Sequence, residues 1–323
     1  MIKTKLFPKN GPLKRQIKFL LNYAILAPSG HNSQPWIFKL TGNSVTILPN
    51  FTYSRPQVDP SNRELYISLG AVSTNIAVTA DNFGLIYGKK YQVDPKTKQQ
   101  SITFIFRTGK TVPQNEVLFT AIPNRITNRF DYQPKPIDKD IIKSLIKSNF
   151  SDVKFTPISS PSDKQLLSKL VYESDLLWFH KTELVDELIS WLRADITKHG
   201  DGLPHDTFVN FTTDERIIKK AKHEANLVIN SPLSIIISSP RETILNWIHV
   251  GEALEYLLLK LSSLGLVNGY FNNPVQLITI LKKLNLTFKL KGSAQLILRV
   301  GYPTAKVPRS PRRPLATFLQ DMS

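Results

Sequence analysis

The sequence predicts an α+β fold in which small, mostly antiparallel sheets pack around long central helices. Three observations carry this. Apolar runs bounded by Gly, Pro, Asn and Asp read as short strands at Trp36–Leu40, Val45–Leu48, Ile86–Val93 and Ser101–Arg107. Two long helical patterns, Ser61–Phe83 and Arg241–Leu264, carry small residues at mid-length, and each is followed by strand-like runs. The continuous Ile run in Leu233–Ser238 reads as a buried strand.

Leu13–Leu26 is a helix because Ile17, Leu20, Leu21, Ala24 and Ile25 fall on one face. Trp36–Leu40 and Val45–Leu48 flank a turn at Thr41-Gly42-Asn43. Ser61 is the expected N-cap of the next helix, with Glu64 completing a capping box, and Gly84 is its expected C′ residue. Its middle, Leu69-Gly70-Ala71-Val72, is small enough for another helix to pack closely. Ile137–Asn149 and Ser162–Leu192 read as helical. Lys198-His199-Gly200-Asp201-Gly202-Leu203-Pro204 is glycine-rich and polar, which fits either a mobile lid or an ordinary surface connection. Strands are expected again at Val267–Phe271 and Gln295–Gly301. Val250-Gly251-Glu252-Ala253 is similar to the middle of the earlier helix, and Gly251 precedes Gly265 by fourteen residues, as Gly70 precedes Gly84. Two explanations compete here, an internal duplication or chance likeness between amphipathic helices; the shared stop favours duplication.

Composition narrows the function. The chain has 323 residues, enough for one large domain or two ordinary ones. It contains no cysteine, which excludes disulfides, thiolate catalysis and Cys-ligated metal sites. No apolar run is long enough to span a bilayer, and Met1–Lys14 lacks the apolar core of a secretion signal, so a cytoplasmic location and no membrane partner are expected. The net charge is +17, yet the lysines are dispersed, as at Lys139, Lys143, Lys147, Lys164 and Lys169. No compact basic block alternates with aromatics, so specific nucleic-acid binding is not expected.

Three segments carry chemistry. Ala27-Pro28-Ser29-Gly30-His31-Asn32-Ser33-Gln34-Pro35-Trp36 places four hydrogen-bonding side chains between two stiffening prolines, and Gly30 permits a close approach to the backbone. Such a loop suits a flat polar ligand, although a plain helix-to-strand connection has the same turn residues. In Asn124-Arg125-Ile126-Thr127-Asn128-Arg129-Phe130, the alternation of Arg125, Thr127 and Arg129 along extended backbone puts two guanidiniums and a hydroxyl on one side, a pattern suited to phosphate. Arg309-Ser310-Pro311-Arg312-Arg313-Pro314 is a proline-stiffened basic segment that fits either a phosphate contact or a solvated tail.

Together these segments resemble the nitroreductase-type FMN proteins. Residues 27–36 look like that family's flavin-ring loop, Pro-Ser-x-x-Asn-x-Gln-Pro-Trp. Arg125-Ile126-Thr127-Asn128-Arg129 looks like its Arg-x-Ser/Thr-x-Arg/Lys phosphate motif, and Pro311–Pro314, following Gly301-Tyr302-Pro303, looks like its closing basic segment. The likeness is nearest to the long, Acg-like branch, in which one chain carries two nitroreductase-like halves. The resemblance implies a nitroreductase-like fold built as an internally duplicated pseudo-dimer. Residues 1–120 would form the half carrying the flavin-ring loop. Residues 121–323 would carry the phosphate clamp, with a lid around 191–206. In ordinary members the phosphate motif precedes the ring loop and each flavin lies between two subunits. Here the first half has the ring loop without a clamp, and the second half has the clamp without a ring loop. One FMN per chain is therefore implied, in a monomer acting as a fused dimer.

The resemblance assigns Arg125 and Thr127, with Arg312 or Arg313, to the phosphate, and Arg129 to the pyrimidine edge of the flavin. Pro28, Ser29, Gly30 and Asn32 would cover the ring. Asn128 belongs to the clamp, Gln34 and Trp36 would brace the loop, and His31 is expected to be structural or solvent-facing. The implied activity is electron transfer from NAD(P)H through FMN to a small-molecule acceptor such as a nitroaromatic or quinone. The alternative is an FMN-sequestering protein with a closed lid and little turnover. It is motivated by two departures from the family pattern. No mid-chain lysine stands near Ala225–Ser231, and Tyr270-Phe271-Asn272-Asn273-Pro274-Val275 is unlike the short-chain segment aimed at the flavin.

Overall fold

A computed structural model describes residues 4–147, 150–205 and 213–322. Helix α1 (Leu13–Ala24) leads through the 27–35 loop into the hairpin β1 (Trp36–Thr41) and β2 (Ser44–Pro49). Helix α2 (Arg63–Asn82), strands β3 (Leu85–Val93) and β4 (Gln100–Lys110) and helix α3 (Glu116–Ala121) complete the first part. The middle holds α4 (Lys139–Leu145), β5 (Lys154–Ile158), α5 (Pro161–Phe179), α6 (Thr182–Ser190), β6 (Leu192–Arg193), α7 (Ile196–His199), β7 (Leu203–Pro204) and α8 (Asp214–Asn230). The last part runs through β8 (Leu233–Ser239), α9 (Ile244–Ser263), β9 (Val267–Tyr270), α10 (Asn273–Gln276), α11 (Ile278–Thr287), β10 (Ser293–Gly301) and β11 (Leu319–Met322).

The fold is α+β, with two main sheets. One has the order β11-β1-β2-β4-β3 and is antiparallel except where β11 joins β1 in parallel, Phe38 opposite Leu319. The other has the order β5-β8-β10-β9 and is antiparallel throughout. Every residue of β8 is buried, as its Ile run implies. The C-terminal strand thus lies in the sheet built by the first 110 residues, so the chain's end returns to its beginning.

Helices α2 and α9 pack through their glycines. A Cβ on Gly70 would lie 2.9 Å from Gly251 Cα and 2.8 Å from Glu252 N; a Cβ on Gly251 would lie 3.0 Å from Gly70 Cα and overlap the Ile67 carbonyl. Any side chain at either position would push the helices apart. The contact also buries Glu252, whose carboxylate accepts hydrogen bonds from Ser73 Oγ (2.7 Å), Lys89 Nζ (2.8 Å) and Tyr91 OH (2.8 Å). That network ties α9 to α2 and β3, and its donors satisfy a carboxylate that would otherwise be costly to bury.

Several boundaries differ from the sequence reading. Ser61 does not cap α2. The N-cap is Asn62 at φ 58°, without a side-chain cap bond, and Asp59 Oδ2 accepts from Leu65 N at 3.0 Å. Glu64 forms no capping box because its carboxylate is paired with Arg55 at 2.8 Å. Helix α9 begins at Ile244, where Thr243 Oγ1 accepts from Asn246 N. The 162–192 helical stretch breaks into α5 and α6, and the expected helix at 137–149 is α4, capped by Asp138; its residue 149 lies outside the described residues. The elements without a counterpart in the reading include β5, an edge strand containing Pro157; β11; the short helices α3, α7, α10 and α11; the β6–β7 pair; and α8, whose buried Ile217, Ala221, Ala225 and Val228 do repeat at helical spacing. Gly84 and Gly265 both follow their helices at positive φ (66° and 71°), as C′ glycines should.

Substituting Gly251→Ala is expected to cost about 3 kcal/mol of unfolding free energy through overpacking. Gly88→Ala, in β3 with open space around its Cβ position, should stay within about 0.5 kcal/mol. Urea unfolding of both variants checks this; equal costs would contradict the helix-contact argument.

Candidate functional site

The 27–35 loop is bent into a strained shape and bolted in place from elsewhere. His31, Asn32 and Gln34 adopt φ of 50°, 54° and 50°. Three non-glycine residues in the left-handed region within four positions cost on the order of 1–3 kcal/mol each. The loop is held by Gln34 N donating to Ser29 Oγ (2.9 Å) and by Gln34 Nε2 donating to Asn32 O (3.0 Å) and Gly200 O (2.8 Å). Arg313 N donates to Gln34 Oε1 at 3.0 Å, and Asn32 Nδ2 to Pro311 O at 3.1 Å. Gly30 is needed, but the group that approaches it is the Arg55 guanidinium, which a Cβ there would overlap. Arg55 is in turn fixed by Glu64. Burial opposes the Glu64 charge, yet Arg55 and Arg63 hold its pKa at about 2.

Arg125 is buried beside the start of this loop. Its Nη2 donates to Leu26 O at 2.9 Å, and its Nε lies 3.5 Å from Glu255 Oε1 without a hydrogen-bond partner. Glu255 is fully buried on α9; burial pushes its pKa up to about 7, against the pull of Arg125. Thr127 forms a parallel bridge with Asn268 of β9, and Asn128 N donates to Asn268 O at 2.6 Å. The Asn128 side chain turns back on its own loop, donating to Phe130 O and accepting from Phe130 N. Arg129 is exposed toward the cavity.

The C-terminal arginines divide. Arg312 spends all five of its N–H groups on carbonyls: Nε on Ile25, Nη2 on Leu26 and Ala27, Nη1 on Ser310 and Pro311. Burial, with Arg125 nearby, lowers its pKa to about 9. Arg313 lies 3.7 Å over the Tyr53 ring and donates to Ser33 O, with Asp201 at 3.8 Å. It stands behind the loop rather than on the cavity.

These parts surround one cavity of about 1110 Å³. Pro28, Ser29, Gly30, Asn32, Arg125, Thr127, Asn128, Arg129 and Arg312 all line it, though the outermost two, Pro28 and Arg312, are 284 positions apart in the chain. Gln34 and Arg313 do not line it; they brace the loop from behind. His31 does line it, with a buried, unpartnered Nδ1; burial and then Arg55 keep its ring neutral, with a pKa of about 3.

The sequence reading missed the Arg55–Glu64 pair and Arg299, which ties the 128–130 backbone to β10, and it gave Arg309 no role of its own within the basic C-terminal segment, although Arg309 lines the cavity. It also missed Asp175, the α8 face and Gln276, which donates to Glu64 at 2.8 Å. Only α8 left a readable periodic signal. Of the 191–206 segment, Leu203 lines the cavity and Gly200 packs against the Arg312–Arg313 backbone; residue 206 lies outside the described residues. Trp178, Phe179 and Leu188 of α5 and α6 also line the cavity. Among the described residues there is no cluster suited to a metal ion and no helix long and apolar enough to cross a membrane.

The chain is similar over nearly its whole length to nitroreductase-like proteins. It is 22% identical to a Mycobacterium tuberculosis protein named "Putative NAD(P)H nitroreductase acg", covering 93% of both chains. It is 25% identical to an uncharacterized protein of the same organism, covering 92% of this chain and 90% of that one. Among solved structures, a nitroreductase-like family protein from Bacillus cereus matches with a TM-score of 0.41 and 14% identity, covering 65% of this chain and 96% of that one. A Bacteroides fragilis nitroreductase with bound FMN also matches at 0.41 and 14%, covering 62% and 96%. No protein-family model matches the chain.

The buried carboxyls predict a pH dependence. Burial pushes Glu255 from 4.5, and Asp175 from 3.8, up to about 7. The folded chain therefore keeps protons that the unfolded chain has lost, and unfolding free energy falls as pH rises from about 4.5 through about 7. Glu255→Gln should flatten that fall by about 3 kcal/mol. Urea titrations at several pH values check it, and an unchanged slope would refute the assignment.

Proposed function

We propose that the chain is an FMN-dependent oxidoreductase that takes electrons from NAD(P)H and passes them to a small-molecule acceptor, a nitroaromatic, a quinone or a similar compound. The observation that carries this reading is the convergence of the 28–32 loop and Arg125 on one cavity, with the Arg125 Nε buried and lacking a hydrogen-bond partner. Two buried guanidiniums, Arg125 and Arg312, face one carboxylate, Glu255, which leaves positive charge for an anion to neutralise. A flat ring carrying a phosphate fits that donor set.

FMN, when bound, supplies reversible one- and two-electron chemistry. Arg125 and Thr127 would hold its phosphate, with Arg309 as a further cation on the same cavity. Arg312 would act through its charge, because its N–H groups already serve the 25–27 and 310–311 carbonyls. Pro28, Ser29, Gly30 and Asn32 would cover the ring, and Arg129 would offset negative charge on it in the reduced state. Glu64 and Arg55 keep the loop in its strained shape, so the ring wall is set before a ligand arrives.

We also read the chain as two fused nitroreductase-like halves, residues 1–120 and 121–323, acting as a monomer in the cytoplasm with one FMN. Support comes from the reciprocal Gly70–Gly251 contact, the equal lengths of α2 and α9, and the paired C′ glycines. A sequestering role is the second reading. The apolar lining by Trp178, Phe179 and Leu188 favours it, since closure of α5 and α6 over the ring would retain FMN and hinder acceptors.

The purified protein should absorb at flavin wavelengths and release about one FMN per chain. Arg125→Ala should weaken FMN binding by roughly 1.5–3 kcal/mol, measured by fluorescence titration. Stopped-flow mixing with NADPH and NADH should bleach the flavin band; no bleaching with either would sink the reductase reading. Reduction followed by turnover too slow to repeat would favour sequestration.

A further inference from the structure

We infer that the end of the cavity between α5, α8 and α10 is a second-ligand subsite that selects a small molecule bearing an oxyanion group, phosphate or carboxylate. This rests on the proposed function only in taking the second ligand to be an electron donor or acceptor.

Helix α8 buries Ile217, Ala221, Ala225 and Val228 and turns Arg216, Lys219, Lys220 and His223 to the cavity. Lys220 is paired with Glu224 at 2.9 Å. Among the described residues, Arg216, Lys219 and His223 have no acidic partner. Arg216, Lys219 and His223 are solvent-exposed, and they line the cavity at an end that a small molecule can reach from solvent, where a cleft lined by one sign of charge accumulates anions. The cavity's volume of about 1110 Å³ exceeds the range usual for a single drug-sized ligand, so a cofactor does not exhaust it.

Asp175 is the independent observation. It is 3% exposed and lines the same end of the cavity. Its Oδ1 accepts from Asn273 Nδ2 at 2.7 Å, while its Oδ2 is buried with no partner. A buried carboxyl left half-satisfied calls for a partner. Burial keeps it protonated to about pH 7, Lys220 opposing and Glu224 assisting. In that form it donates an O–H to a ligand oxygen and does not repel an anion.

The test is calorimetric titration of the protein, as purified, with NADP⁺ and with NAD⁺, which differ by one phosphate. A parallel arm measures oxidation of the reduced protein by a sulfonated naphthoquinone and by its neutral parent. The wild type should favour the more anionic member of at least one pair by about tenfold. Arg216→Gln combined with Lys219→Gln should erase that preference, and Asp175→Asn should weaken the preferred ligand about tenfold or less while Tm is retained. Preference in the dinucleotide pair assigns the subsite to the donor, and preference in the quinone pair assigns it to the acceptor. No preference in either pair, or one that survives in the double variant, overturns the inference. Failure of the FMN reading would register separately, as missing flavin absorbance with the dinucleotide titration still readable.

Discussion

The contact between Gly70 and Gly251 is the constraint on which the rest of the molecule depends. It brings two 20-residue helices close enough for backbone to meet backbone. Each helix then supports one wall of the cavity. From α2, Glu64 holds Arg55, and Arg55 packs on Gly30 to shape the 28–32 loop. From α9, Glu255 stands beside Arg125. Moving the helices apart by the thickness of a methyl group would change the spacing of both walls at once, because packed interiors do not deform smoothly.

The second constraint is the returning C-terminal segment. It crosses from β10 to pair β11 with β1, and on the way Arg312 clamps five carbonyls from two distant stretches. Arg313 seals the back of the loop against Tyr53 and Phe318. Arginine suits both tasks, since its planar fork stacks on rings and satisfies several carbonyls from one side chain. The three left-handed residues of the loop persist because these contacts over-determine the conformation.

Much of this was legible in the sequence. Strand positions, the buried Ile strand and the glycine stops followed from local rules of periodicity and positive φ, which act within a few residues. Nine of the eleven proposed site residues line the cavity, because motif chemistry restricts which residue types can sit there. Other features were hidden for a physical reason. Arg313 and Arg312 are adjacent and chemically alike, yet one lines the cavity and the other braces it; only the path of the chain separates them. Glu64 looked like a capping residue because its spacing from Ser61 fits, and a buried arginine nine positions upstream outcompeted that local bond.

The sequence by itself determined the α+β class, the helix-pair glycines and the residue types available for binding an anion beside a flat ring. Tertiary structure decided which guanidiniums keep their donors free, which carboxyls hold protons near neutrality, and that α5 and α8 line the cavity. Those outcomes depend on desolvation and on partners hundreds of residues away, and neither is encoded in local spacing.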